Sequence, residues 1–306
     1  MKKFQQTFIW TALTVFLATG LFSCNDDAIY KKEMYKHVLA LVSSENYNIF
    51  QEIVPLTDSV TDGYIAASCG GTIAPDKDIT ITLSEDTDPF DFYNWSLFDA
   101  DDDQYAQLLP KSAYKIDNYK ITIHKGERSG KTEVKIDPAG LSPDSTYFIA
   151  LKIDSSGDYE MNDEKNTILY QVLLENKYAS QADQTLYQMS GMIDSVVTAG
   201  TVKMLPLSKN RVRIMAGTVA FQASVDVINS SSIILEVEDN GHVNILPYKD
   251  ITVTPLDNAN YPNTFTQETD NFGRTYNIFS LAYEYTIGTK TRQMYERLTL
   301  EVQNDD

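Results

Sequence analysis

The chain has 306 residues and a formal net charge of -18 at pH 7, with 43 acidic and 25 basic side chains. A surface this acidic repels nucleic-acid phosphates and anionic lipid headgroups, so neither is an expected partner. Hydrophobic residues make up 42% of the chain and aromatic residues 11%, which is ordinary globular composition. The length suits two domains with substantial cores.

The first 23 residues have the features of a secretory signal peptide. Lys2 and Lys3 form a basic start, and an apolar run from Phe8 to Phe22 follows without an acidic side chain. A run of about fifteen residues is too short to span a bilayer comfortably. The segment Leu21-Phe22-Ser23-Cys24 resembles a bacterial lipobox, in which the cysteine is acylated and becomes the first residue of the mature chain. The alternative is an ordinary signal peptide with a chance cysteine.

Cys24 is therefore the predicted lipid attachment site, and residues 24–45 are the predicted tether. Each buried methylene of an acyl chain contributes about 0.8 kcal/mol, so several chains anchor a protein without a transmembrane helix. The acidic pair in Asn25-Asp26-Asp27 resembles the surface-export signal of Bacteroidota lipoproteins, which implies the outer face of the outer membrane. The same pair also fits the start of a solvated linker. From Ala28 to Ser44 the pattern fits a short helix or an irregular lead-in.

One other cysteine, Cys69, remains in the mature chain, which excludes an internal disulfide there. It ends a strand-like run just before Gly70-Gly71, and no histidine is near in sequence. We therefore predict a buried structural thiol and not a nucleophile.

Residues 46–176 are predicted to form an immunoglobulin-like β-sandwich. Short runs with a period of two recur every ten or so residues and end in Gly, Pro or Asp turns, which favours antiparallel strands over βαβ units. Residues 86–112 interrupt the pattern with a long insertion rich in Asp and aromatic residues. The clearest predicted strands are 79–83, 120–124, 132–136, 147–153 and 168–174.

Residues 177–306 are predicted to form a second β-sandwich or a flattened barrel. A polar segment after Glu175-Asn176-Lys177 marks the boundary. Asp239-Asn240-Gly241 is a hairpin turn that needs a positive φ and fixes the register around it. The predicted strands are 185–192, 201–205, 211–215, 219–227, 233–237, 242–246, 251–254, 275–285 and 292–302.

A set of residues in the first half resembles the N-terminal immunoglobulin-like domain of Bacteroidota surface lipoproteins. That family occurs in glycan-binding proteins and in some surface glycoside hydrolases of the family 18 type. The residues that carry the resemblance are Phe92-Tyr93-Asn94, Tyr105, Leu108-Leu109-Pro110, Tyr114, 121–123 with Gly126, 134–136, Leu141 and 147–153.

The second half is similar to a C-terminal β domain that often follows it in polysaccharide-utilisation lipoproteins. The motifs are Leu205-Pro206-Leu207, residues 210–213, Phe272-Gly273 and residues 279–285. The resemblance implies a surface protein that binds a polysaccharide or glycan. It also implies two partners, an outer-membrane transporter of the starch-utilisation type and its lipoprotein.

Catalysis finds little support in the sequence. Glycoside hydrolysis needs two carboxylates at a fixed separation, whereas most acidic residues here lie in predicted turns. We therefore predict that the protein has no catalytic activity. His37, His124 and His242 are isolated, which argues against a triad or a zinc site. The acidic run 99–103 resembles the start of a calcium loop, but Gln104 replaces the required Gly. We therefore expect a solvated acidic loop with no metal and no cofactor, and a calcium site of another type is the alternative.

Exposed aromatic rings with polar neighbours are the candidate binding residues, because sugars stack an apolar face on a ring while their hydroxyls take hydrogen bonds. The first candidate is Trp95 in the long insertion. The second is the predicted loop 258–274, whose aromatics no strand periodicity explains. The predicted glycan-binding residues are Trp95, Tyr261, Asn263, Phe265, Phe272, Arg274 and Tyr276.

The sequence therefore predicts a lipid-anchored, surface-exposed, all-β protein that binds a glycan without catalysis. A structural or adhesin lipoprotein is the rival interpretation, with Ile233–Val237 as the nearest candidate for an edge-pairing strand. A glycoside hydrolase is the third possibility.

Overall fold

A computed structural model describes residues 36–57 and 59–302 of the chain. The predicted signal peptide, Cys24 and part of the predicted tether lie outside the described residues. Within those ranges, no helix is both long and apolar enough to cross a membrane. Strands dominate the described residues, which confirms the all-β prediction.

The first of two β-sandwiches comprises the strands that precede residue 176. It also contains one α-helix, α1 (Asp88–Phe98), and a 3-10 turn at Asp102–Gln104. Its strands are β1 (Val38–Leu41), β2 (Ile49–Pro55), β3 (Thr61–Cys69), β4 (Ile79–Glu85), β5 (Gln107–Leu108), β6 (Tyr114–Lys115), β7 (Lys120–Ile123), β8 (Ser129–Ile136), β9 (Tyr147–Ser155), β10 (Glu160–Met161) and β11 (Thr167–Glu175).

Two sheets make up this sandwich, with strand orders β10-β1-β3-β8-β6 and β2-β11-β9-β4-β7, and β5 lies beside β9. Three pairs are parallel: β1 with β10, β5 with β9, and β2 with β11. They depart from the purely antiparallel pattern that the short spacing predicted. Each parallel pair joins strands that are not neighbours in sequence. The longest is β2 with β11, which pair over seven residues, from Ile49 opposite Leu169 to Pro55 opposite Glu175.

Alternation along β3 shows how the sequence builds this core. Gly63, Ile65, Ala67 and Cys69 point inward and are buried, while the residues between them are exposed or half-buried. Cys69 is 3% exposed, which confirms the predicted buried thiol. Strands β9 and β11 are buried on both faces because α1 covers their outer side.

The second sandwich comprises the strands after residue 185, together with helix α2 (Val225–Ser231). Its strands are β12 (Leu186–Ile193), β13 (Val196–Lys203), β14 (Leu205–Ser208), β15 (Arg211–Met215), β16 (Ser232–Val237), β17 (Val243–Pro247), β18 (Thr252–Pro255), β19 (Thr264–Thr269), β20 (Thr275–Ile287) and β21 (Lys290–Val302).

One of its sheets has the order β13-β12-β21-β20-β18, with β19 also paired to β20, and the other has the order β14-β15-β16-β17. Strands β20 and β21 form a hairpin of thirteen residues each. Gly241 has φ 85°, which confirms the predicted turn before β17. The core contains a cluster of rings in which Phe279 lies 4.9 Å from Phe265 and 5.7 Å from Tyr187, measured between ring centroids.

Three local expectations were wrong. Val38–Leu41 is a strand paired with β3, and not a helix or an irregular lead-in. Residues 219–227 are irregular and then helical, because α2 begins at Val225. The predicted loop 258–274 contains β19, which pairs with β20 in regular antiparallel register. Phe265 lies opposite Phe279 and Gln267 lies opposite Asn277.

The two sandwiches contact each other through a buried ion pair. Arg213 on β15 has a side chain only 1% exposed, and its two Nη atoms donate to the two carboxylate oxygens of Asp144, at 2.5 Å each. The guanidinium also lies 4.9 Å from the ring centroid of Tyr248. Gln181 in the connecting segment donates to the backbone carbonyl of Pro143 at 2.7 Å. A bidentate pair of this kind fixes orientation as well as distance.

Candidate functional site

The sheet of the second sandwich that contains β20 and β21 has one face on the core and one face toward solvent. Phe279, Leu281 and Leu298 point inward and are fully buried. Side chains alternate along a strand, so the residues between them point outward. These outward residues, with the loop residue Tyr261 packed on them, form what we call the outer face. On the central strands its accessible residues are Tyr276, Ser280, Tyr295, Arg297 and Thr299, whereas Ile278 on the same side is only 4% exposed.

One end of the outer face carries a pair of tyrosines. Tyr261 lies in the connection between β18 and β19, and its ring centroid is 5.9 Å from that of Tyr295 on β21. Both residues are half-buried. Met192 lies opposite Tyr295 on β12, which extends the apolar surface toward the sheet edge.

The other end is the tip of the β19–β20 hairpin, where a charged group lies between two rings. Arg274 lies 5.5 Å from the ring centroid of Phe272 and 5.7 Å from that of Tyr276. Its guanidinium also donates to Asp270 at 2.8 Å. Phe272 is 86% exposed, so its ring is open to a ligand.

The charges at this tip keep each other ionised. Desolvation raises the pKa of the Asp270 carboxyl. Hydrogen bonds from Arg274 and from the backbone N–H of Phe272 outweigh it and hold that pKa below its usual value. The hydrogen bond to Asp270 raises the pKa of Arg274. A fixed carboxylate and a fixed guanidinium provide both hydrogen-bond acceptors and donors beside the rings.

The sheet register gives the spacing of these two aromatic groups. Tyr295 lies opposite Ala282, and Tyr276 lies opposite Glu301, six residues farther along β21. At about 3.4 Å per residue, the groups are about 20 Å apart along the strands. Between them lie polar side chains, including Arg297, which pairs with Glu268 at 3.5 Å. The arrangement can contact an extended polar molecule at both ends.

Asn263 and Phe265, which the sequence also suggested, lie inside the fold. Asn263 is 6% exposed, donates to the Leu256 carbonyl and accepts from the Ala282 N–H. Phe265 is 8% exposed and packs edge-on against Tyr178 at 4.9 Å. Both residues hold β19 in place, and their burial removes them from the candidate surface.

Trp95 lies in the first sandwich, on α1, separate from the outer face. Pro89 in the first turn and the acidic Asp88 and Asp91 favour helix formation there. Trp95 and Phe92 are 63% and 59% exposed and lie one turn apart on the same side of the helix. The other predicted aromatics are all in the second sandwich, so the structure does not bring Trp95 together with them.

The groove between the sandwiches is concave but unsuited to stacking. It contains no aromatic ring, and its lining residues are Leu56, Thr57, Asp137, Pro138, Ala139, Gly140, Leu207, Ser208, Lys209, Asn210 and Asp239. A sugar face there would have no flat apolar partner.

Acidic groups form no metal-binding cluster in the described residues. No cluster of three or more His, Cys, Asp or Glu side chains there could hold a metal ion. Burial raises the pKa of Glu296 to about 7, against a smaller opposing effect of its hydrogen bond with Tyr283. Glu296 is fully buried in the core, where a sugar cannot reach it.

Sequence reasoning missed Tyr295 and Arg297. Both lie in the predicted strand 292–302, where alternation already implied that half of the side chains face solvent. The missing information was which strands are neighbours, because only the register brings Tyr295 beside Tyr261.

Two family models match the chain. One describes an N-terminal domain and matches residues 30–160, and the other describes a C-terminal domain and matches residues 166–299. No curated protein matches the sequence.

Several solved structures share the two-domain fold at low sequence identity. A protein of unknown function from Bacteroides ovatus has 14% identity and a TM-score of 0.65, over 88% of this chain and 98% of that one. A multidomain protein including DUF1735 from the same species has 13% identity and a TM-score of 0.63, with the same coverage. An auxiliary nutrient binding protein from Bacteroides thetaiotaomicron has 12% identity and a TM-score of 0.61, over 87% of this chain and 95% of that one.

Proposed function

Since the chain contains both domains of a two-domain family represented among Bacteroides proteins of the DUF1735 type, we propose that it is a surface protein that binds a polysaccharide or glycan without cleaving it. The observation that carries the proposal is the outer face, where two aromatic groups lie along one exposed sheet surface. The similar fold of a protein described as nutrient binding supports the same class of function.

The separation of the two groups favours a polymer over a single sugar. One ring that covers about 100 Å² of a sugar contributes about 2.5 kcal/mol at roughly 25 cal/mol per Å². Even millimolar affinity requires about 4 kcal/mol beyond the cost of ordering. Two groups about 20 Å apart can each contribute only if the ligand is extended.

Localisation is part of the proposal and rests on the sequence. Acylation of Cys24 would tether the chain to the outer membrane, where an outer-membrane transporter and its lipoprotein would take up the bound glycan. We expect a Cys24→Ala variant to leave the outer-membrane fraction. Persistence of that variant in the membrane would contradict lipid anchoring.

Affinity electrophoresis against plant, fungal, host and bacterial polysaccharides tests the binding proposal. We expect one polysaccharide to retard the protein, and we expect Tyr295→Ala and Tyr276→Ala each to reduce the retardation. Tyr64→Ala is the matched control, because Tyr64 is an exposed tyrosine on the first sandwich, 41% accessible. Retardation that survives both outer-face substitutions would place binding elsewhere. The absence of retardation by any polysaccharide would contradict glycan binding and favour the structural or adhesin interpretation.

A further inference from the structure

The sheet edges of this protein are protected in a consistent way, with one exception. Edge strands offer unpaired backbone groups to other chains, and proteins commonly block them with Pro, charge or short length. Strands β5, β6 and β10 have two residues each and β7 has four, and the remaining protected edges carry a Pro or an acidic residue. These blocking residues are Glu52 and Pro55 on β2, Pro206 on β14, Pro247 on β17, Pro255 on β18 and Glu268 on β19.

Strand β13 is the exception. It is the terminal strand of its sheet and has eight residues, Val-Val-Thr-Ala-Gly-Thr-Val-Lys, with neither Pro nor an acidic residue. The first seven are uncharged on a protein of net charge -18. Val196 and Val197 are 65% and 82% exposed. A long, neutral edge rich in β-branched residues has the composition that pairs with another strand.

The phase of the β12–β13 ladder shows which backbone groups are open. The Met204 N–H donates to the Thr185 carbonyl, in the same register as the ladder. Hydrogen-bonded and open residues alternate in an antiparallel pair. The N–H and C=O groups of Val197, Ala199, Thr201 and Lys203 therefore point away from β12. No described residue forms a backbone hydrogen bond with these outward groups.

We propose that this edge pairs with β13 of a second copy of the chain, antiparallel and centred on Ala199. Two strands related by a twofold axis perpendicular to the sheet must oppose residues of the same face, and centring on Ala199 meets this condition. Val197 then lies opposite the partner strand's residue 201, and Val197, Ala199 and Thr201 of each copy exchange hydrogen bonds in both directions. The open backbone groups of Val197, Ala199 and Thr201 are symmetric about the centre, so each of them finds a hydrogen-bond partner, and Lys203 lies beyond the paired segment.

Side chains agree with this register. Val196 faces position 202 of the second copy, which places one valine opposite another, and Val197 faces a threonine. Such β-branched cross-strand pairs are favourable, and no like charges are opposed. Lys203 lies outside the paired segment, where its Nζ is 4.2 Å from the ring centroid of Phe221. A second copy thus fits the edge without bringing acidic groups of the two strands together.

Sedimentation velocity of the purified full-length protein, from micromolar to millimolar concentration, tests the pairing. We expect a monomer–dimer equilibrium, which Ala199→Pro and Ala199→Lys each weaken by about tenfold or more, since both block the centre of the strand. The Ala199 N–H points outward, so proline there does not remove a bond to β12. Thr252→Lys, at the opposite edge of the same sheet, is the matched control and should dimerise like the parent. A parent protein that stays monomeric throughout, or an Ala199→Lys variant that dimerises normally, overturns the proposal.

Cysteine cross-linking tests the register separately. Hydrogen-bonded antiparallel residues have Cα atoms about 5.5 Å apart, within the range that a disulfide spans. We expect oxidation to cross-link Ala199→Cys to its own copy. Val197→Cys should not cross-link to itself, because the two positions would be about 14 Å apart along the strands. Equal cross-linking of both variants overturns the register, and pairing by an unrelated extended peptide would leave the Ala199→Cys protein uncross-linked.

Discussion

The two faces of the β20–β21 hairpin use the same strands for opposite purposes. Toward the core, Phe279 and Leu298 are fully buried. One residue away, Tyr295 and Arg297 point to solvent beside Tyr261. Because alternation separates the two sets, a substitution on one face need not disturb the other. The hairpin can therefore carry stability and binding as independent properties.

This independence makes the inner face the place of the largest expected loss of stability. Phe279 is fully buried, and the rings of Phe265, Tyr187 and Tyr178 pack around it. We expect Phe279→Ala to lower the free energy of unfolding by about 3–5 kcal/mol, because the ring leaves a cavity that its neighbours cannot fill. Chemical denaturation of the two proteins measures this difference.

The matched substitution on the other face is Tyr295→Ala. We expect it to change the free energy of unfolding by about 1 kcal/mol or less while it reduces retardation by polysaccharide. If Tyr295→Ala destabilised the protein as much as Phe279→Ala, the two faces would not be independent.

Local pattern predicted the strands of this fold well. The apolar runs at residues 147–153 and 168–174 correspond to β9 and β11, and the Asn-Gly turn corresponds to the Gly241 hairpin. Non-local facts were out of reach. The parallel pairing of β2 with β11 joins segments more than a hundred residues apart, and no local signal in either segment specifies the partner.

The candidate site was predictable only in part, for the same reason. Tyr261, Phe272, Arg274 and Tyr276 are on the surface that the loop composition indicated. Phe265 is not, because six residues of that segment, Thr264–Thr269, form a strand against β20 and turn the ring inward. A loop and a short edge strand of polar composition look alike in sequence, and tertiary pairing decides between them.

Glu296 is the polar exception on the inner face, and it gives that face a dependence on pH. Its side chain is fully buried, Oε1 accepts from the Tyr283 hydroxyl at 2.8 Å, and Oε2 has no hydrogen-bond partner. The Tyr283 hydroxyl in turn accepts from the Gly217 N–H at 2.8 Å. Burial raises the pKa of Glu296 from 4.5 to about 7, so the folded protein holds a proton that the unfolded chain releases at lower pH.

The sign of the effect follows from that difference. Below pH 4.5 the carboxyl is protonated in both states, and its contribution to stability is fully present. As the pH rises from 4.5 to about 7, only the unfolded chain loses the proton, so this group removes about 3 kcal/mol of stability in that window. Glu296→Gln keeps the shape and cannot titrate. We expect the difference in unfolding free energy between the two proteins to shift by that amount between pH 4 and pH 8, in favour of the variant at the higher pH. A difference that stays constant across this range would show that Glu296 titrates normally, and that the inner face is as insensitive to pH as its apolar neighbours.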